Sequence, residues 1–314
     1  MRPVSAHRAG ACWKGRSSLR PRAGFRGVDP NVGYLVLVVL ALATLGVLLW
    51  GRRSRRPKFF ARAEYWVYVP GTKLPKQDEL MTRMVAENPL HRLGKPPIGA
   101  REGLLFSDIR LHLAMAIRSK NPHIFRPDLF DTEVTVTPEV LAGLAASHGM
   151  VKVRYVSEVP LKDLRHLQFL PHMAEAVSAL ADGQVVFDPV QEKLWTAEAF
   201  RDALATQPNW ERFDAHARTI WVSDDVGGRA KTLGMSSIGL ADLESDPSPL
   251  DHETLVLELV EEAASRLFAM ALEGGSPIGI PATIEIERYD DTFLLDLTPE
   301  RERIGVHIRR RSSV

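Results

Sequence analysis

From Asn31 to Gly51 the chain carries no charged residue, and its centre, from Tyr34 to Trp50, is almost wholly aliphatic. At 1.5 Å per residue such a run makes a helix of roughly 31 Å, about the thickness of a bilayer core. It has no polar face, which a buried core helix at a protein surface would show. It ends in tryptophan followed by arginines, where a signal peptide would end in small residues. Tyr34 and Trp50 stand at its two ends, where amphipathic rings favour the headgroup zone. The pattern predicts one transmembrane helix over 31–51.

Downstream the pattern changes to short segments of mixed period. Glu64 to Val69 is aromatic and β-branched and predicts a strand, closed by Pro70-Gly71. A short helix is expected over 77–87, and a loop over 88–101, which holds three prolines and two glycines. From Asp108 to Arg118 apolar and polar residues alternate strictly, which predicts a half-buried strand despite the helix propensity of Leu, Ala and Met. Thr137-Pro138-Glu139 opens a helix that Gly149 is expected to stop. Val151, Val153 and Tyr155 alternate with Lys152 and Arg154 in a further strand. A helix over 161–182 is expected to break at Pro171. Val185 to Phe187 reads as a buried strand, Thr196 as the cap of a helix over 197–205, and 219–223 as a strand.

The strongest helical period lies at 252–272, with Asp251 as its expected cap. Val256, Val260, Ala263, Ala264, Leu267 and Ala271 form the apolar stripe, and Glu258, Glu261, Glu262 and Ser265 face away. Gly274-Gly275 ends it. Three strands follow near 282–288, 292–297 and 303–309, the first two joined through Tyr289-Asp290-Asp291. The expected class is α+β: mixed or antiparallel sheets packed with helices, a C-terminal β-meander, and one transmembrane helix in front. The expected divisions are a disordered basic arm 1–30, the membrane helix 31–51, a basic linker 52–62 and a soluble domain 63–314, with a candidate subdivision near 183–190.

Charge sharpens this picture. The chain holds 40 Lys+Arg and 39 Asp+Glu; residues 1–62 take 13 of the former and only Asp29 of the latter. That leaves 27 and 38, a net of −11, for residues 63–314. An acidic body argues against nucleic acid as a partner, because phosphate binding needs a basic face. Arg52, Arg53, Arg55 and Arg56 crowd the exit of the apolar run, which places the body in the cytoplasm. The arm is rich in Arg, Gly, Ser and Ala without periodicity, in the manner of translated non-coding sequence, with a start expected near Val28. The one cysteine, Cys12, precedes the apolar run, so no internal disulfide forms and the body has no cysteine chemistry.

Motifs of known chemistry fail on inspection. Gly227-Gly228-Arg229-Ala230-Lys231-Thr232 has Ala230 where a phosphate loop needs glycine, and 274–279 has Ser276 where a dinucleotide loop needs glycine. No G-x-S-x-G or H-E-x-x-H occurs. His172 and Glu175 share a helix face at metal-ligand spacing, but a solvated polar pair is the commoner meaning of that pattern. Arg110, His112, Arg118 and Arg126 offer an anion site, against the plainer account of arginines on an exposed sheet face. Asp188, Asp224, Asp225, Asp242 and Glu244 form a candidate acidic cluster if the fold gathers them. Phe125 to Phe130 sets two aromatics around a rigid turn that pins a loop to the core, or else docks a partner. No cofactor is expected.

Thr232-Leu233-Gly234-Met235, Gly239 to Glu244, and the stretch ending in Asp188-Pro189 resemble bacterial membrane-anchored proteins with a domain of unknown function. The resemblance covers the C-terminal half and implies no activity. Two functional classes stand. The favoured one is a single-pass membrane protein whose soluble domain interacts or regulates, with the bilayer and a protein as partners. The alternative is a membrane-tethered enzyme, a metal-assisted hydrolase built from scattered Asp, Glu and His.

Overall fold

The computed structural model describes residues 60–86, 110–126, 136–207, 209–223, 227–276 and 278–311. The candidate membrane segment 31–51, the arm before it, the arginines at 52–56, and Asp224 and Asp225 lie outside the described residues. Among the described residues no helix is long and apolar enough to cross a membrane. Residues 57–314 form one compact unit, α+β in class, with two sheets packed against helices.

The first sheet grows around the aromatic run. Strand β1 (Ala61–Val69) is flanked by β3 (Gly149–Ser157) and β4 (Val185–Asp188), with β2 (Leu111–Ile117) and β5 (Lys193–Thr196) outside them. All its pairs are antiparallel, with Tyr65 opposite Val153 and Val67 opposite both Val151 and Val186. One face lies on helix α3 (His166–Leu180), of which 13 of 15 residues are buried, so α3 is enclosed on nearly every side. Part of the other face, around Tyr68, Met150, Val185 and Phe187, is covered by α2 (Pro138–Ala146) and the 3-10 turn Pro122–Phe125. Helices α1 (Gln77–Ala86) and α4 (Ala197–Thr206) flank α3.

The second sheet runs β6-β7-β8-β11-β10-β9, from β6 (Arg218–Ser223), β7 (Gly228–Leu233), β8 (Asp242–Ser245), β9 (Thr283–Arg288), β10 (Asp291–Pro299) and β11 (Arg303–Arg310). Helix α5 (Glu253–Gly274) carries the chain from β8 to β9 and covers one face with the expected stripe, extended by Leu259 and Phe268. Only β8 and β11 pair parallel, because the crossover separates two meanders. The C-terminal meander is present, its first turn made by Tyr289 and Asp290 at φ of 52° and 63°. Positive φ at both turn residues matches the right-handed twist of the flanking strands.

Four local expectations change. Gly149 does not stop α2, which ends at Ala146; it opens β3, where a Cβ would come 2.3 Å from the Gly71 carbonyl. Pro171 does not break α3, which runs through it from His166. Asp251 sits in a 3-10 turn (Leu250–His252) ahead of α5 and gives no side-chain cap. The stretch between 223 and 251, for which the sequence pattern predicts no element, contains β7 and β8. Gly234 joins them to the intervening 3-10 turn at φ 115°, with a Cβ position 2.1 Å from the His216 carbonyl. No side chain fits there.

Candidate functional site

Polar groups gather in three places. The first is the open part of sheet one's second face. The Glu64 side chain is fully buried there, although it is charged. Arg62 donates to it at 2.9 and 3.0 Å, the Trp66 indole at 2.5 Å, and Lys152 pairs with it at 3.0 Å while lying over the Trp66 ring. Burial alone would raise its pKa, but the indole, the guanidinium and the ammonium together hold it below the usual carboxylate range.

The second is a seam beside α3. His166 donates to the Ser237 carbonyl at 2.9 Å and stacks on Tyr155 at 4.3 Å. Gln168 donates to His172 at 3.1 Å and accepts from the Trp210 N–H at 2.7 Å. The Leu167 carbonyl, which Pro171 leaves without its helical N–H, faces the ring of His216. Burial pushes His172 down to about 4, and burial with the neighbouring His166 pushes His216 down to about 3. These rings are neutral packing elements at neutral pH.

The third is a cleft of about 560 Å³ between the start of α5 and the ends of β10 and β11. Leu255, Val256 and Leu259 of α5 and Phe293 and Ile308 of the sheet make an apolar floor. The rim is polar. His307 Nδ1 lies 2.6 Å from Asp246 Oδ2, Arg310 pairs directly with Asp291, and His252 and Ser248 complete it. The parallel register, with Val306 opposite Ser245, places Asp246 beside His307; Arg310 opposite Phe293 reaches back to Asp291. The volume and the mix of apolar floor with a few oriented polar groups are those of small-molecule sites. The sequence pattern marks none of these rim residues as a site, since Asp246 and His307 are 61 positions apart.

The sequence candidates fall elsewhere. Arg110 and Arg118 bracket β2, roughly 25 Å apart at strand rise. Arg110 lies over Tyr155, and Arg118 lies over Phe125 and donates to the Leu144 carbonyl near the end of α2. His112 stands opposite Arg154 on sheet one, and Arg126 ends the 3-10 turn. Of the acidic residues, Asp188 belongs to sheet one and Asp242 and Glu244 to sheet two. Asp188 is buried and accepts from the Val190 and Gln191 N–H groups and the Gln191 amide; burial pushes it up to about 6. Asp242 accepts from Thr232 and the Met235 N–H, and Glu244 holds Arg229 and Arg303. His172 and Glu175 are buried rather than solvated: Glu175 binds Arg83 at 2.8 Å, and His172 binds Gln168. Phe125 is buried against Tyr68 at 5.5 Å, so that aromatic does pin its turn to the core.

Among the described residues no three His, Cys, Asp or Glu side chains gather as a metal site. Compared with protein-family models, with curated proteins and with solved structures, the chain gives no match.

Proposed function

We propose that this chain is a membrane-tethered binding module of regulatory or interaction type, held at the bilayer by the helix expected over 31–51, with its body in the cytoplasm. The cleft beside α5 is its ligand seat. The observation that carries this reading is the cleft's construction: an apolar floor about the size of a small molecule, rimmed by a few polar side chains, Asp246 beside His307 and Asp291 paired with Arg310. The polar interior of the body serves the fold instead, since Glu64, His172 and Glu175 are each buried and bound to named partners. The test is a small-molecule screen by thermal melt on the full chain in lipid nanodiscs. Hits should raise the midpoint of the wild type and lose that effect in Leu255→Trp, which fills the floor. Hits that act equally on both would move the site elsewhere. A reporter fused at Val314 tests the cytoplasmic placement.

A further inference from the structure

We propose that the cleft takes an organic cation, a primary ammonium carried on an apolar body; this rests on the cleft being the ligand seat. The cleft is lined by two carboxylates, Asp246 and Asp291, and one permanent cation, Arg310, so its permanent charges leave one carboxylate in excess. Each carboxylate has one oxygen engaged, Asp246 Oδ2 with His307 and Asp291 Oδ1 with Arg310. The second oxygen of each has no partner among the described residues. His307 donates from Nδ1 to Asp246, so that contact uses one oxygen of Asp246 and leaves its second. The second oxygens of Asp246 and Asp291 therefore remain as negatively charged acceptors for the donors of a primary ammonium, beside the Ser248 hydroxyl of the rim.

The surroundings point the same way. Residues 63–314 carry a net of −11, so long-range attraction concentrates cations around the body. The start of α5 brings a partial positive charge of about half a unit. Glu253 in that first turn and Asp251 in the 3-10 turn before it bring negative charge that opposes it. Arg310 is the competing feature, since its guanidinium is largely exposed and has donors left over for an anion. Its charge is offset by Asp291, to which it is paired, whereas Asp246 has only a histidine. The floor of Leu255, Leu259, Phe293 and Ile308 requires that the cation carry an apolar group.

The experiment is a titration of the full chain in zwitterionic nanodiscs, with empty nanodiscs as the blank, using phenylbutylamine, phenylbutanol and phenylbutyrate. These share an apolar body and differ in head charge. The amine should bind roughly two- to fivefold more tightly than the alcohol, and the acid most weakly, the range expected for partly exposed ion pairs. Asp246→Asn with Asp291→Asn keeps the shape of both residues and should bring the amine to the level of the alcohol. Tighter binding of the acid overturns the cation claim and leaves the cleft as the seat. Equal binding of all three overturns it as well, leaving an apolar pocket. Binding of none, with the folded melt intact, removes the cleft reading itself.

Discussion

The interior seam and the cleft rim are both built around histidine, yet they behave as opposites. In the seam His166, His172 and His216 are buried against aromatic rings and carbonyls, and burial keeps the last two uncharged. On the rim His307 and Asp246 are 60% and 66% exposed and touch little beyond each other. A buried polar group has one permitted arrangement, because a missing partner costs the full desolvation penalty. An exposed pair gains little from its contact and is free to exchange it for a ligand. The difference separates groups that hold the fold from groups available to recognise something.

The sharpest way to break the seam is Gly234→Val. It demands a positive φ of a β-branched residue and drives Cβ into the His216 carbonyl. A loss of about 3 kcal/mol or more is expected in denaturant unfolding, from strain and displacement together. Next is Glu64→Ala on the sheet above. It leaves the partly exposed Arg62 and Lys152 and the Trp66 indole without their shared acceptor, and a loss of about 1–2 kcal/mol is expected. Glu64→Gln keeps the shape and should fall between the wild type and Glu64→Ala. A cost under about 1 kcal/mol for Glu64→Ala would place this cluster with the rim, as a surface pair.

How much of this was legible followed from how many faces each element buries. The meander β9 to β11 and helix α5 each bury one face, so their periods of two and 3.6 stand in the sequence and their spans were close. Helix α3 is buried on nearly all sides, which erases any polar face, and its Pro171 looked like a break because the partner for Leu167 comes from His216. Strand β8 has four residues, two of them acidic, and shows no hydrophobic run. The cleft was invisible because its pairs are set by strand register: the parallel match of β8 with β11 joins positions 61 apart. No local pattern encodes that match.

A pH titration of stability sharpens the contrast without changing the chain. His172 and His216 have folded values of about 4 and about 3, below the ordinary 6.5. As pH falls below 6.5 the unfolded chain takes up protons that the folded one refuses, so stability is lost between about pH 6.5 and 4. Asp188 works against this. Its folded value near 6 lies above 3.8, so over roughly 6 to 4 the folded state binds the extra proton and gains stability on acidification. Two histidines with the larger shifts outweigh one carboxylate, and a net loss of about 2 kcal/mol or more is expected between pH 7 and 4. His172→Gln should flatten the acid limb in urea melts. A limb unchanged by that substitution would mean that the seam histidine does not govern it.

The smallest effect is expected at the rim, and its smallness is the point. His307→Ala removes a side chain that is more than half exposed and that binds an equally exposed carboxylate. Arg310→Gln removes a largely exposed guanidinium paired with Asp291. Neither leaves a buried group without a partner, so each should change unfolding free energy by no more than about 0.5 kcal/mol, within the range of ordinary surface substitutions. The two variants differ in what they do to a ligand. His307→Ala leaves the permanent charges of the rim in place and should leave the amine little changed, whereas Arg310→Gln removes the competing positive charge and should strengthen it. Paired melts and titrations of the two read stability and affinity separately. A rim substitution that costs as much stability as Glu64→Ala would show that the rim belongs to the fold, and would erase the distinction between the two regions.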